Sequence, residues 1–410
     1  MMKKFAEIFF AALLVLALAF PLPAVDFGLL TTQSVSLDDA FSGDMSKLSW
    51  SGAFTPWFSG MLIENGDLYM SIGITPKYEN DDFVLIPELL RTEVALRSDR
   101  GTDLRFGRIS YVDPLGLIAV GLFDGFQVSQ DIGEGILSAG AWYTGLQYKK
   151  RANITVSPSD RIGYFIAFDK TSMDTYFAPQ RMLAAVGWEH PALAGAMQLH
   201  VAAIGQFDVN GENDTYNSEY FVGKISVPFR NLFVFDAGAG VEFLQTPDED
   251  TTLALVGELG VSWMPPTNFQ DRLSLIGRFS TGDVDDSPLG AFMPLTTVSQ
   301  GNVLQAKLSA LAHLRADYTA RLHEMFSVNT ALAYFLRTSR NENENLTWPE
   351  VTDEDMYVLG GEVFMSLLFS LTSDIGINLG GGVFLPQMGN VAPREREQWR
   401  FEMGITAALF

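Results

Sequence analysis

The residues from Leu304 to Tyr318 alternate so strictly that few folds accommodate them. One parity reads Leu304, Ala306, Leu308, Ala310, Ala312, Leu314, Ala316, Tyr318, and the other carries Gln305, Lys307, Ser309, His313, Arg315 and Asp317. A helical period of 3.6 residues would scatter those charges round its surface, whereas a strand puts every one on the same face. The pattern recurs. Phe326, Val328, Leu332, Tyr334 and Leu336 oppose Ser327, Asn329 and Arg337. Tyr357, Leu359, Val363, Met365, Leu367 and Phe369 oppose Glu362, Ser366 and Ser370, and Ile375, Ile377, Leu379, Val383 and Leu385 oppose Asp374, Asn378 and glycines. Soluble sandwiches use strands of about 5 to 6 residues. Longer strands with apolar residues on one face suit a barrel wall in lipid, where a charge turned outward near the midplane costs roughly 2 to 4 kcal/mol.

Only the N-terminus departs from this pattern. Lys3 and Lys4 precede an apolar stretch from Phe9 to Phe20, and Leu22-Pro23-Ala24 offers a cleavage site. That run falls short of the roughly 20 residues needed to span a bilayer as a helix, so residues 1–24 read as a signal peptide and 25–410 as one barrel domain. The chain contains no cysteine, which removes disulfides, thiolate metal sites and a lipid anchor through cysteine. Its formal charge of −22 argues against nucleic acid as a partner.

Connections support the same class, an all-β, antiparallel up-and-down transmembrane barrel. Short links lie near Pro228 to Asn231, Pro265 to Gln270, Thr319 to Arg321 and Thr372-Ser373. Longer polar ones run from Asp208 to Tyr216, Gln245 to Thr251, Gly282 to Gln300, Thr338 to Asp355 and Pro386 to Glu395. Residues 193–410 hold about ten strands, and eight more are expected near Leu29, Leu48, Leu68, Leu89, Leu104, Ile136, Ile162 and Met182. The expected count is therefore about 18, with sixteen as the alternative because the strand at Leu29 is weak. Ser110 to Gly133 is too long for an ordinary connection; it either folds into the lumen, bringing Phe123 and Asp124 with it, or adds pairing.

Parity assigns a set of charges to the lumen: Arg91, Arg97 and Arg105 early, then Asp236, Glu242 and Glu258, then Arg272, Arg278, Lys307, Arg315 and Arg337. Opposed rows would create a field that selects anions. Mutual neutralisation in a narrow barrel is the other reading. Gly238, Gly240, Gly376, Gly380 and Gly382 would leave room inside. The expected function is passive diffusion of small hydrophilic, anion-leaning solutes, with outer-membrane lipid as the surroundings and no cofactor or metal.

The final strand alternates Trp399, Phe401, Met403, Ile405, Ala407 and Leu409 with polar and small residues, and ends at Phe410. It resembles the signal read by the bacterial barrel-assembly machinery, which implies that machinery as a partner, although Phe410 lies one step out of phase with the apolar face. A second resemblance joins Leu104-Arg105-Phe106-Gly107-Arg108 to Gly121-Leu122-Phe123-Asp124-Gly125. These segments resemble alginate-export-type porins and imply an 18-stranded channel for an anionic polymer or sugar acid.

Two other classes stay in view. A barrel-borne hydrolase would use one of His190, His200, His313 and His323, none of which has helical zinc spacing. A surface adhesin would use the acidic runs Asp248-Glu249-Asp250, Asp283 to Asp286 and Asp353-Glu354-Asp355. The second of these lacks the calcium-loop pattern and reads as solvated.

Overall fold

The computed structural model describes residues 25–38, 47–79, 82–169, 171–210, 215–247, 251–283, 289–339, 357–390 and 397–409. The expected signal peptide, Phe410 and most of the acidic runs lie outside them. The first strands are β1 (Val25–Asp38), β2 (Lys47–Ile63), β3 (Gly66–Glu79), β4 (Asp82–Arg97), β5 (Thr102–Val112), β6 (Val120–Ile132) and β7 (Gly135–Tyr143). Two helices follow, α1 (Lys149–Ala152) and α2 (Pro158–Phe165). Then come β8 (Arg181–Leu193), β9 (Met197–Asp208), β10 (Asn217–Phe229), β11 (Phe233–Gln245), β12 (Thr252–Trp263) and β13 (Arg272–Ser280). The last five are β14 (Leu311–His323), β15 (Phe326–Arg337), β16 (Val358–Ser370), β17 (Ile375–Leu385) and β18 (Gln398–Leu409). Each pairs antiparallel with its neighbours in sequence, and β1 pairs with β18 from Leu29↔Leu409 to Asp38↔Arg400, so the 18-stranded sheet closes on itself. Closure removes the sheet edge, which is what lets a sheet sit in lipid.

Alternation sets which side faces out. Leu259 on β12 is 70% exposed, while its neighbour Glu258 is buried on the inner face. Val186, Phe221, Leu314, Leu332 and Phe401 are exposed in the same way. An apolar outer belt with polar inner positions is the pattern a lipid-embedded barrel requires. Leu259→Arg should therefore destabilise the folded barrel by roughly 2 to 4 kcal/mol. Urea titration of barrel refolded in lipid vesicles checks this; an unchanged midpoint would place Leu259 outside the hydrocarbon.

Four expectations need correction, the first three for a local reason. No strand forms at Ile162: Ser157 and Asp160 make a reciprocal capping box with Pro158 in the first turn, which nucleates α2. The strand that completes the count is β6, inside the segment from Ser110 to Gly133, where Gly121, Asp124 and Gly125 obscure the alternation. Finally, β14 begins at Leu311; residues 304–310 belong to an inward-folded connection that buries Leu304, Ala306, Leu308 and Ala310 together with Lys307 and Ser309 of the other parity, so the alternation there is not that of a strand. The link expected at Thr319 to Arg321 is also displaced. β14 continues to His323, and the reversal falls at Glu324-Met325.

Candidate pore constriction

Three connections at one end of the barrel fold inward: residues 113–119 between β5 and β6, the described residues of 144–180 between β7 and β8, and residues 289–310 between β13 and β14. Their apolar side chains, Leu117, Ile118, Ile154, Phe292, Leu295 and Leu308 among them, form one core with the inner-wall residues Trp142, Leu183, Ile204, Tyr220, Val256 and Phe335. The backbone knits them together. The Thr296 amide donates to Ile118 O (3.0 Å) and the Thr297 amide to Asn153 O (2.9 Å). The Asn153 side chain returns a bond to Thr297 O (2.6 Å), and the Val120 amide donates to Thr296 Oγ1 (2.9 Å).

Carboxylates hold these connections in place. Asp113 accepts the amides of Leu115, Leu117, Ile118 and Ala119 at 2.8–3.1 Å, winding residues 113–119 into a tight knot. Glu362, inward on β16, accepts the amides of Asn302, Val303 and Leu304 at 2.7–3.0 Å. Glu242 on β11 accepts the Met293 amide (2.7 Å) and Ser218 Oγ (2.8 Å), and Tyr220 Oη donates to Met293 O (2.6 Å). The connection after β7 hangs on Arg181, which is fully buried. Its guanidinium reaches Asp160 (2.6 Å), Asp208 (3.3 Å), Gln206 Oε1 (2.7 Å) and Tyr216 O (2.8 Å). Charge-assisted bonds of this kind are stronger than neutral ones.

Lys307 belongs to this scaffold, not to a strand. Its ammonium donates to Thr155 O (2.8 Å), and burial pushes its pKa down to about 8 against the opposing pull of Glu242. Glu242, expected to line the lumen, is completely buried and anchors the Met293 amide. Phe123 and Asp124 sit on β6, outside any lumenal loop. Phe123 packs in the inner core, and Asp124 takes the opposite parity and binds Arg108 through two oxygens (2.8 and 2.7 Å).

The remaining charges form two groups on the inner wall. In the first, Arg91 contacts Glu93 (2.5 Å), Arg105 contacts Asp103 (2.8 Å) and Glu93 (3.5 Å), and Arg97 contacts Asp67 (3.3 Å). In the second, Glu258 lies between Lys224 (2.8 Å) and Arg278 (2.7 Å), while Arg315 holds Asp317 (2.9 Å). Arg272 donates to Ser262 Oγ (2.7 Å), and Asp236 accepts from Ser226 Oγ (2.5 Å). β4 and β13 stand nine places apart in an 18-strand ring, so the groups occupy opposite walls. Apart from Arg272, each of these cations meets a carboxylate on its own wall, in place of a basic row facing an acidic one. Arg91 and Arg105 still present about two-fifths of their side-chain surface to solvent, at 43% and 41%.

One level of the wall shows how fold and site meet. Lys224, Gly238, Glu258, Arg278 and His313 are successive register partners across five strands. Gly238 is the smallest of them, and a β-carbon there would collide with Leu115 of the 113–119 knot. The glycine expected to leave room therefore receives a side chain from another connection. At the far end of the row, Gln300 Oε1 meets both Arg278 Nη1 (2.9 Å) and His313 Nε2 (3.0 Å), tying the 289–310 connection to the charged wall.

Among the described residues no group of three or more metal-ligating side chains gathers. Arg181, Asp160, Asp113 and Glu93 were not singled out in the sequence. The Ser157-Pro158-Ser159-Asp160 capping pattern is a local signal that points toward Asp160. Trp399 and Phe401 of the final strand share its outward parity, and Phe401 is exposed.

No protein-family model matches the chain, and no curated protein does so. Solved structures match nearly all of it. OccK2 (OpdF) of Pseudomonas aeruginosa, in complex with glucuronate, aligns with a TM-score of 0.63 at 13% identity, covering 95% of this chain and 98% of that one. OccK5 (OpdH) of the same organism gives 0.63 at 12% identity, covering 95% and 99%. The outer-membrane protein OprD gives 0.59 at 12%, covering 94% and 93%. At these identities the likeness shows the fold. It is the 18-stranded barrel of the Occ and OprD proteins, and these neighbours do not support the resemblance to alginate-export-type porins.

Proposed function

We propose that this chain is an outer-membrane channel through which small hydrophilic solutes diffuse passively, with a mild preference for anions. The observation that carries the reading is a closed barrel with an apolar exterior, narrowed inside by three connections that its own wall anchors. An enzyme site has no comparable support: His313 is engaged with Gln300 and stacked on Phe335 at 5.7 Å, an arrangement suited to fixing a connection. The anion preference rests on Arg91 and Arg105, which keep surface toward the lumen despite their carboxylate partners. OccK2 was solved with glucuronate, and a sugar acid of that kind carries the charge and hydroxyls such a wall would favour.

Replacing Arg91 and Arg105 together with glutamine leaves Glu93 and Asp103 without cationic neighbours. The reversal potential in a KCl gradient should then move toward cation preference, more at low salt than at high, because mobile ions screen exposed charges. A correctly folded double variant with unaltered selectivity would remove these arginines from the conducting path.

A further inference from the structure

The wall has one seam. β4 and β5 pair only from Thr92↔Arg108 down to Arg97↔Asp103. Beyond Thr92, β4 continues along β3 as far as Asp82, and β5 continues along β6 as far as Val112. Among the described residues no ladder joins the two strands above that level. Gly107 marks the parting: its φ is +109°, and a β-carbon would strike the Thr92 carbonyl. Both flanks turn apolar residues outward, with Phe83, Leu85, Leu89 and Val112 all exposed. An open sheet edge in hydrocarbon is strongly disfavoured, so the seam needs a cover.

The connection between β7 and β8 supplies it, and meets β4 and β5 through side-chain hydrogen bonds. Tyr176 Oη donates to Pro87 O (2.6 Å) and Arg151 Nε to Glu88 (2.7 Å). From the β5 side, Arg108 reaches Leu89 O and, at 3.1 Å, Leu146 O. The cover concentrates Lys149, Lys150, Arg151 and Arg161 in a chain whose overall charge is −22. Next to them Ile162, Phe165 and Ile166 are exposed, and with Pro158 and Arg161 they line a depression of about 490 Å³. Lys149 Nζ binds Gly163 O (2.8 Å) and Lys150 lies 3.7 Å over the Tyr164 ring. A ligand on α2 is therefore coupled to the turn that grips Glu88.

We propose that the β4–β5 seam is a lateral opening covered by the β7–β8 connection, and that the cationic, apolar surface of α2 binds an anionic single-chain amphiphile, a fatty carboxylate. The guanidinium of Arg161 meets the carboxylate, and Ile162, Phe165 and Ile166 receive the chain. A neutral lipid would match the apolar residues and offer nothing to the Arg161 guanidinium beside them. This rests on the outer-membrane reading given above.

The absence of cysteine in the chain makes the test clean. A Glu88→Cys, Arg151→Cys variant would be bridged by a bismaleimide, and transfer of a fluorescent stearate derivative from vesicles measured beside KCl conductance on the same preparation. Arg161→Glu serves as a second, exposed-site variant. Bridging should slow transfer several-fold with conductance intact, and Arg161→Glu should weaken binding of the stearate probe about tenfold. Transfer and binding that ignore both changes overturn the proposal, whatever the conductance shows. If the unmodified protein conducts nothing yet bridging still stops transfer, the side opening is supported and the axial channel alone fails.

Discussion

Excising Ala291–Ser309 and joining the ends with a short glycine-serine linker is expected to raise single-channel conductance several-fold. This stretch supplies Phe292, Leu295, Val303, Leu304, Ala306 and Leu308 to the lumenal core, so its removal opens cross-section where the barrel is most filled. Glu242 and Glu362 lose the amides they anchor, and water entering the widened lumen would solvate both carboxylates. The barrel should survive. β13 and β14 keep their own ladder from Arg272↔Thr319 to Phe279↔Ala312, and nothing in that pairing depends on the excised residues. Planar-bilayer recording checks the result. Conductance equal to that of the intact protein, in a variant shown to be folded, would mean that the narrowest point lies elsewhere.

Arg181→Leu should destabilise the barrel by about 3 to 5 kcal/mol, because it leaves Asp160 and Asp208 buried beside an uncharged partner. The leucine fills part of the volume but offers nothing to Gln206 Oε1 or Tyr216 O, which also lose a donor. The damage should extend to α2, since Asp160 belongs to its capping box and ties it to the wall. Urea unfolding followed by the mobility shift of the folded barrel measures the loss. Adding Asp160→Asn should restore part of it by removing one unpaired charge. If Arg181→Leu unfolds at the wild-type midpoint, the buried cluster contributes specificity of position and little stability.

Much of the architecture was legible because a lipid-facing wall imposes one rule on every strand. The parity of Arg278 against Phe279, or Glu258 against Leu259, follows from that rule alone. The rule fails where the chain leaves the wall. Leu304, Ala306, Leu308 and Ala310 imitate the apolar face of a strand, yet Lys307 and Ser309 between them are buried as well. At β6 the interruptions come from Asp124, which serves Arg108, and from Gly125, whose missing side chain leaves space for the backbone at Ala141 and Trp142. The constriction was harder to see, since no local pattern says that Leu115 reaches Gly238 or that Glu362 accepts amides sixty positions away. Such contacts depend on how far each connection folds back, which strand periodicity does not encode.

The channel reading is tested most directly by recording the refolded barrel, residues 25–410, in planar bilayers, with folding verified on the same sample. Discrete conductance steps in KCl are expected, with a reversal potential in a salt gradient displaced modestly to the anion side. Folded protein that inserts into the bilayer and gives no steps above background would contradict it.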